Sequence, residues 1–444
     1  MSNIGTAGGD ADTLIATLDN GARVVVIRLP HLATAAVSVF VRSGSQHESA
    51  HLNGIGHVIE HMAFKGTRSR NCQQINLDAE RLGAEVNAHT DKDHTAFHMR
   101  GLAQDTVSFI RMLGDIVRAS TFPKAELERE RNVILHEYAD DEDDAMATAF
   151  KQFDRACFGA HAAARPVIGT RANIRRFTRG ELVAWVRQQY TAANTIIGVA
   201  GNVDPDRIVA ATKAAFGDMP AGNQNLVAAP TWRGGTRVRP LPGSSLVHAV
   251  LGFPTPSLPG AHQAFVVAAA LLGEGMSSPL LDQLRERRGL VYHADCWIDV
   301  RDACGQFVIE TSTAPGNLRE YLSAVARLLH QHVRATDRVG LERARNQAGV
   351  RILSAHEEPS RRLELAALDL YALGRVRSRA ELLAGIAAVT PRQVRAAFAQ
   401  MLDARPAIGI AGRIASSEAE RLVRRFSPPA VAVSGGGRLR GAGA

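Results

Sequence analysis

Six residues recur almost unchanged 214 positions apart. Leu127-Glu128-Arg129-Glu130-Arg131-Asn132 and Leu341-Glu342-Arg343-Ala344-Arg345-Asn346 share five identities in six. The order of strand-like and helix-like patterns around the two copies agrees, so the chain reads as a duplication. Within the first copy, valine-rich runs at 22–28 and 34–41, broken by Pro30-His31, predict a hairpin-like pair of strands. Runs at 84–88 and 95–100 predict strands joined by a polar turn, and 195–200 predicts another. Helical patterns cover 73–82, 107–119, 124 to about 146, and 204–216. A stretch rich in Gly, Pro and Asn at 217–235 separates the copies, so the expected domains are 1–218 and 234–444 with a linker at 219–233. The expected fold is α+β: two homologous halves, each a mainly antiparallel sheet packed with helices.

The halves differ in their chemistry. The first contains Gly54-Ile55-Gly56-His57-Val58-Ile59-Glu60-His61. On a helix, positions i and i+4 share a face, so His57 and His61 can aim two imidazole nitrogens at one point. Imidazole ligates zinc, and a catalytic zinc usually has three protein ligands and one position for water. Glu60, three residues from His57 and next to His61, can flank that water. The order His-x-x-Glu-His reverses the commoner His-Glu-x-x-His motif and marks the inverted zincins. The third ligand lies elsewhere. Glu130 and Glu137, seven apart on the long amphipathic pattern, share a face two turns apart. One can ligate the metal, and the other can orient a ligand histidine through its second ring nitrogen. In the second half, at the offset of 214, Glu130 maps to Ala344 and Glu137 to Arg351, while His57 falls near Leu271 on an apolar helix. That half keeps the scaffold without the metal set.

These residues resemble the peptidase family of pitrilysin, insulin-degrading enzyme and mitochondrial processing peptidase, in its short-chain branch. The resemblance covers nearly the whole chain. It includes Leu18-Asp19-Asn20-Gly21, Gly44-Ser45-Gln46-His47-Glu48, the His57 to Thr67 block, Asn87-Ala88-His89-Thr90, Glu130 to Glu137, and Asn194-Thr195-Ile196-Ile197-Gly198-Val199-Ala200-Gly201. It implies a zinc endopeptidase with one Zn2+ per chain, Glu60 as general base, and Glu137, about 76 residues beyond His61, as third ligand. It also implies that Glu130 orients a ligand, and that Asn87 and Ala88 help dock a peptide as an added strand. Arg285 and Tyr292, seven apart in Leu284-Arg285-Glu286-Arg287-Arg288-Gly289-Leu290-Val291-Tyr292, match a pair that reaches the zinc site from the metal-free half. Tyr292 would donate to the tetrahedral oxyanion, and Arg285 would hold the substrate backbone. The glycine-containing loop at 273–278 precedes that segment, which reads as a helix. Large single-chain members close four such domains into a chamber, so this chain is expected to pair with itself or with a homologous chain. The family also holds non-catalytic partner subunits, the alternative reading. His89 stands where the family often has tyrosine. With His94 and His98 it adds imidazoles near the site, which read as incidental rather than as a second metal site.

Composition narrows the classes left open. The chain is 45% hydrophobic and 22% charged, as soluble globular proteins are. A net charge of +8 can favour nucleic acid, yet no dense Lys/Arg block with interleaved aromatics occurs, so no nucleic-acid partner is expected. Cys72, Cys157, Cys296 and Cys304 show no C-x-x-C spacing and read as reduced thiols in a cytoplasmic protein. The first ten residues lack the basic and apolar regions of a secretory signal. The uncharged run at 240–273 carries Pro254, Pro256 and Pro259, so it reads as strand, turn and buried helix, with no membrane span. The run at 427–444 reads as a mobile tail.

Overall fold

The computed structural model describes residues 3–5, 9–415, 417 and 421. Residues 1–2 and 6–8 of the N-terminal stretch, and the expected tail at 427–444, lie outside the described residues.

Seven strands of the first half form one sheet: β1 (Asn3–Gly5), β2 (Thr13–Thr17), β3 (Arg23–Arg28), β4 (Thr34–Val41), β5 (Glu85–Thr90), β6 (Thr95–Leu102) and β7 (Thr195–Gly201). Their spatial order is β1-β2-β3-β7-β4-β6-β5. The second half supplies β8 (Gly235–Pro240), β9 (Val247–Thr255), β10 (Val291–Val300), β11 (Gly305–Thr313) and β12 (Ala407–Gly412). Their order, β8-β12-β9-β11-β10, repeats β3-β7-β4-β6-β5. Each sheet has one parallel pair, β3 with β7 and β8 with β12, and is otherwise antiparallel. The architecture is the expected α+β pair of halves.

Three local expectations need correction. The runs at 22–28 and 34–41 form strands but no hairpin, because β7 lies between them, parallel to β3 and antiparallel to β4. Every residue of β7 is buried, so it takes a central place in the sheet, and alternation within a strand carries no information about its neighbour. The long helix ends at Asp143. Asp144 turns to an extended conformation and its carboxylate accepts from the Met146 and Ala147 amides, capping a new helix, Ala145–Phe158. The segment carrying Arg285 and Tyr292 is not one helix. A short helical stretch through Glu286 gives way to β10, and Tyr292 sits at a register shift between Val291 and His293.

The halves exchange helices. Ala145–Phe158 leaves its own half and packs Ala149, Phe153 and Cys157 against Val250, Val308, Ala407 and Ala411 of the second sheet. Pro359–Leu373 crosses the other way and packs Leu363, Ala366, Ala367 and Leu370 on Val25, Phe40, Ile196 and Ala200. A glycine admits each helix. A Cβ at Gly409 would strike the Ala149 carbonyl oxygen and the Phe153 amide nitrogen, and one at Gly198 would lie 3.0 Å from Leu363 Cδ2. The two glycines belong to a second repeat, Ile197-Gly198-Val199-Ala200-Gly201 and Ile408-Gly409-Ile410-Ala411-Gly412. The opposite face of the first sheet is covered by helices Ile55–Ala63 and Thr106–Ala119. The run at 240–273 forms β9, a turn and the buried helix Gln263–Gly273, and no described helix is long and apolar enough to cross a membrane.

Candidate metal centre

The Ile55–Ala63 helix buries Ile55, Val58, Ile59 and Met62 and leaves His57, Glu60 and His61 half-buried on its other side. Its start is held by a carboxylate. Glu48 accepts from the Gly54 amide at 2.7 Å, the Gly56 amide at 2.8 Å and Asn53 Nδ2 at 3.0 Å. These donors sit at the helix N-terminus, where negative charge is favoured. Burial pushes the Glu48 carboxyl up to about 7, against the pull of the Gly54 and Gly56 amides. Gly54 has φ +97°, and a Cβ there would lie 2.8 Å from the Ile168 carbonyl oxygen, so only glycine fits.

The long helix Lys124–Asp143 brings Leu127, Glu130, Ile134 and Glu137 along one stripe, the first three buried. That stripe meets the histidines. His61 Nδ1 lies 3.2 Å from Glu130 Oε2, and Glu130 Oε1 accepts from Lys65 Nζ at 2.7 Å. His61 Nε2 is 3.3 Å and His57 Nε2 3.8 Å from Glu137 Oε2. The donor atoms of His57, His61 and Glu137 all lie within 4.8 Å of one another. His57 Nδ1 and Glu60 Oε2 are buried without a hydrogen-bond partner among the described residues.

This arrangement fits zinc. Two imidazoles and one carboxylate are a catalytic zinc set, and three protein ligands leave a position open. Burial, then the neighbouring His61, press His57 down to about 4, so its ring is neutral with a lone pair to donate. Glu130, held by Lys65, is placed to fix the orientation of the His61 ring.

The other predicted residues fall into two groups. Asn87 is exposed and Ala88 buried on β5, the edge strand of the first sheet. Alternation turns Ala88 into the core beneath the Ile55–Ala63 helix. Asn87 faces a cavity of 570 Å³. Arg285 and Tyr292 touch each other, the guanidinium 5.2 Å from the ring centre. Tyr292 is 84% exposed. Among the described residues no hydrogen bond, ion pair or ring contact joins either one to the zinc set of its own chain. In the second half the place of the metal set is taken by an ion pair, Arg351 Nη1 to Glu274 Oε2 at 2.7 Å, beside a buried Ala344.

Two contributors escaped the sequence. Glu48 lies in a stretch quoted for resemblance, but only tertiary contact shows that it holds the helix start. Lys65 had a local signal, since it follows His61 by four residues on the same helical phase.

Comparison with known proteins now decides the family. Residues 23–171 match the model described as "Insulinase (Peptidase family M16)", and residues 176–348 match "Peptidase M16 inactive domain". An uncharacterised zinc protease of Mycobacterium leprae is 31% identical over 415 residues, covering 90% of this chain and 92% of the relative. The chain belongs to the M16 peptidase family. The M16 relatives include mitochondrial-processing peptidase subunit beta of Blastocladiella emersonii, 31% identical over 265 residues, 59% of this chain and 57% of that one. A solved protease from Helicobacter pylori has the same fold, with a TM-score of 0.81 and 20% identity over 89% of this chain and 98% of its own. The inactive-domain match takes in Arg285 and Tyr292 and none of His57, His61 and Glu137.

Proposed function

We propose that this chain is a zinc endopeptidase that hydrolyses peptides or unfolded segments, with His57, His61 and Glu137 as ligands and Glu60 as general base. The observation that carries this reading is the convergence of three donor atoms within 4.8 Å beside a buried, unpartnered Glu60 oxygen on the same helix. The zinc protease names of M16 relatives support it. Bound zinc supplies a Lewis acid that polarises the scissile carbonyl and acidifies water. Glu60 takes the proton of the attacking water and returns it to the leaving amine. The β5 edge offers main-chain groups to which an extended peptide can add as a strand, beside Asn87. Tyr292 donates to the developing oxyanion and Arg285 holds the substrate backbone. The exposure of Tyr292, and the absence among the described residues of a hydrogen bond, ion pair or ring contact from the pair to the zinc set of the same chain, support a pairing in which a second homologous chain closes the chamber. A relative named as a subunit agrees with such pairing. Cys72, Cys157, Cys296 and Cys304 are free, which supports a cytoplasmic setting.

The test is Glu60→Gln, measured for metal by elemental analysis and for cleavage of a quenched peptide library. Metal should stay at one per site while the rate falls about 10²–10⁴-fold. Parent-rate cleavage by the variant would remove Glu60 from its role. No cleavage by the wild-type protein would favour the non-catalytic subunit.

A further inference from the structure

A second cluster of donors lies outside the centre described above. His89, His94 and Glu364 place one ligand atom each within 4.8 Å of one another. His89 is the last residue but one of the edge strand β5, two residues beyond Asn87, and His94 closes the β5–β6 turn. That turn is pinned by backbone bonds, with the Asp91 amide donating to the His94 carbonyl at 2.8 Å and the Ser45 amide donating to the Asp91 carbonyl at 3.0 Å. Glu364 arrives from the other half on the crossing helix Pro359–Leu373, next to Leu363, which is buried against the first sheet.

The decisive feature is His94. It is 2% exposed, and both of its ring nitrogens are buried without a hydrogen-bond partner among the described residues. An imidazole always carries at least one N–H and, when neutral, one lone pair, so this burial leaves strong polar groups unsatisfied. The cost of such a group is recovered only if something polar or cationic meets it. The rings of His89 and His94 stand edge to face, with centroids 5.4 Å apart. Glu364 Oε2 is engaged by Arg361 at 2.8 Å, and its other oxygen has no hydrogen-bond partner among the described residues. The cluster borders two cavities. His94 lines a cavity of 490 Å³ and His89 an adjoining one of 570 Å³, and Glu364 lines both.

We infer that His89, His94 and Glu364 form a second site for a divalent metal of the zinc class. Two imidazoles and a carboxylate suit that class and leave coordination positions for water. The metal ties the β5–β6 turn of the first half to the crossing helix of the second, beside the edge where a peptide would add.

The test starts from the full chain carrying His61→Ala and Glu137→Gln, which disables the first centre. This protein is dialysed against zinc, desalted and assayed by elemental analysis, and a cobalt(II)-loaded sample is read by visible absorption. One zinc per chain should remain, and zinc should raise its Tm. Adding His89→Phe, or separately Glu364→Gln, should reduce the retained zinc about tenfold and abolish the Tm rise. Circular dichroism checks that each variant is folded, and two independent ligand variants guard against one that is not. Absence of metal from the starting protein overturns the second site and leaves the first centre untouched. Retained metal that ignores both ligand variants overturns it as well.

Discussion

At the scale of single residues, the helix start beneath the metal set rests on Glu48. Its carboxylate serves the Gly54 and Gly56 amides and the Asn53 side chain in a buried setting. Glu48→Ala should leave those donors unmet, at about 1–3 kcal/mol for each buried group left unsatisfied. The Tm should drop and zinc affinity should weaken together, read by calorimetry and chelator competition. Glu48→Gln, which keeps an acceptor, should lose less. The neighbouring His47 gives a pH signature. Burial presses it from 6.5 down to about 4, while its Nδ1 accepts from the Gly44 amide. The folded state therefore holds His47 neutral, and the unfolded chain binds the proton first as pH falls. Its contribution is intact above 6.5 and declines through about 4. A shift of this size corresponds to up to about 3 kcal/mol. Denaturant midpoints compared between pH 7 and pH 4.5 should fall less steeply in His47→Gln than in the parent.

At the scale of elements, the exchanged helices connect the halves. Each rides over a glycine at the same point of a repeated strand, Gly198 in β7 and Gly409 in β12. At Gly409 any side chain meets the backbone of the arriving helix, which cannot yield as a flexible side-chain tip can. Gly409→Ala should therefore destabilise by about 1–3 kcal/mol, whereas Gly198→Ala meets only the Leu363 side chain and should cost less. Urea unfolding of the two variants reads the difference. The break at Asp144 falls within Ala139-Asp140-Asp141-Glu142-Asp143-Asp144-Ala145, a run with no large apolar residue to set a phase, so the pattern that begins at 124 could not place it. The same holds for β3 and β4. Their strand character is a local property, while the insertion of β7 between them depends on burial of a segment more than 150 residues away.

At the scale of the whole molecule, Arg285 and Tyr292 test how many chains make one site. The exposure of Tyr292, and the absence among the described residues of a bond from the pair to the zinc set, lead to an expectation of sharing across a pair of chains. Inactive Glu60→Gln chains mixed with inactive Arg285→Ala, Tyr292→Phe chains should regain activity once subunits exchange. Exchange proven by mass without recovery, or full activity in a monomer, would end that expectation. From the sequence alone came the duplication, the α+β class and the faces that His57, His61, Glu130 and Glu137 share, because helical phase and strand alternation are set by neighbours in the chain. From the residues alone either glutamate could have been the ligand, and resemblance separated their roles. Only the tertiary structure decided that the two faces meet, with Glu130 under His61 and Glu137 Oε2 between the two Nε2 atoms. Only it brought Glu364 to His89 and His94, which had read as incidental. Each of these contacts joins segments far apart in the chain, and such meetings are fixed by how elements pack, which no local pattern encodes.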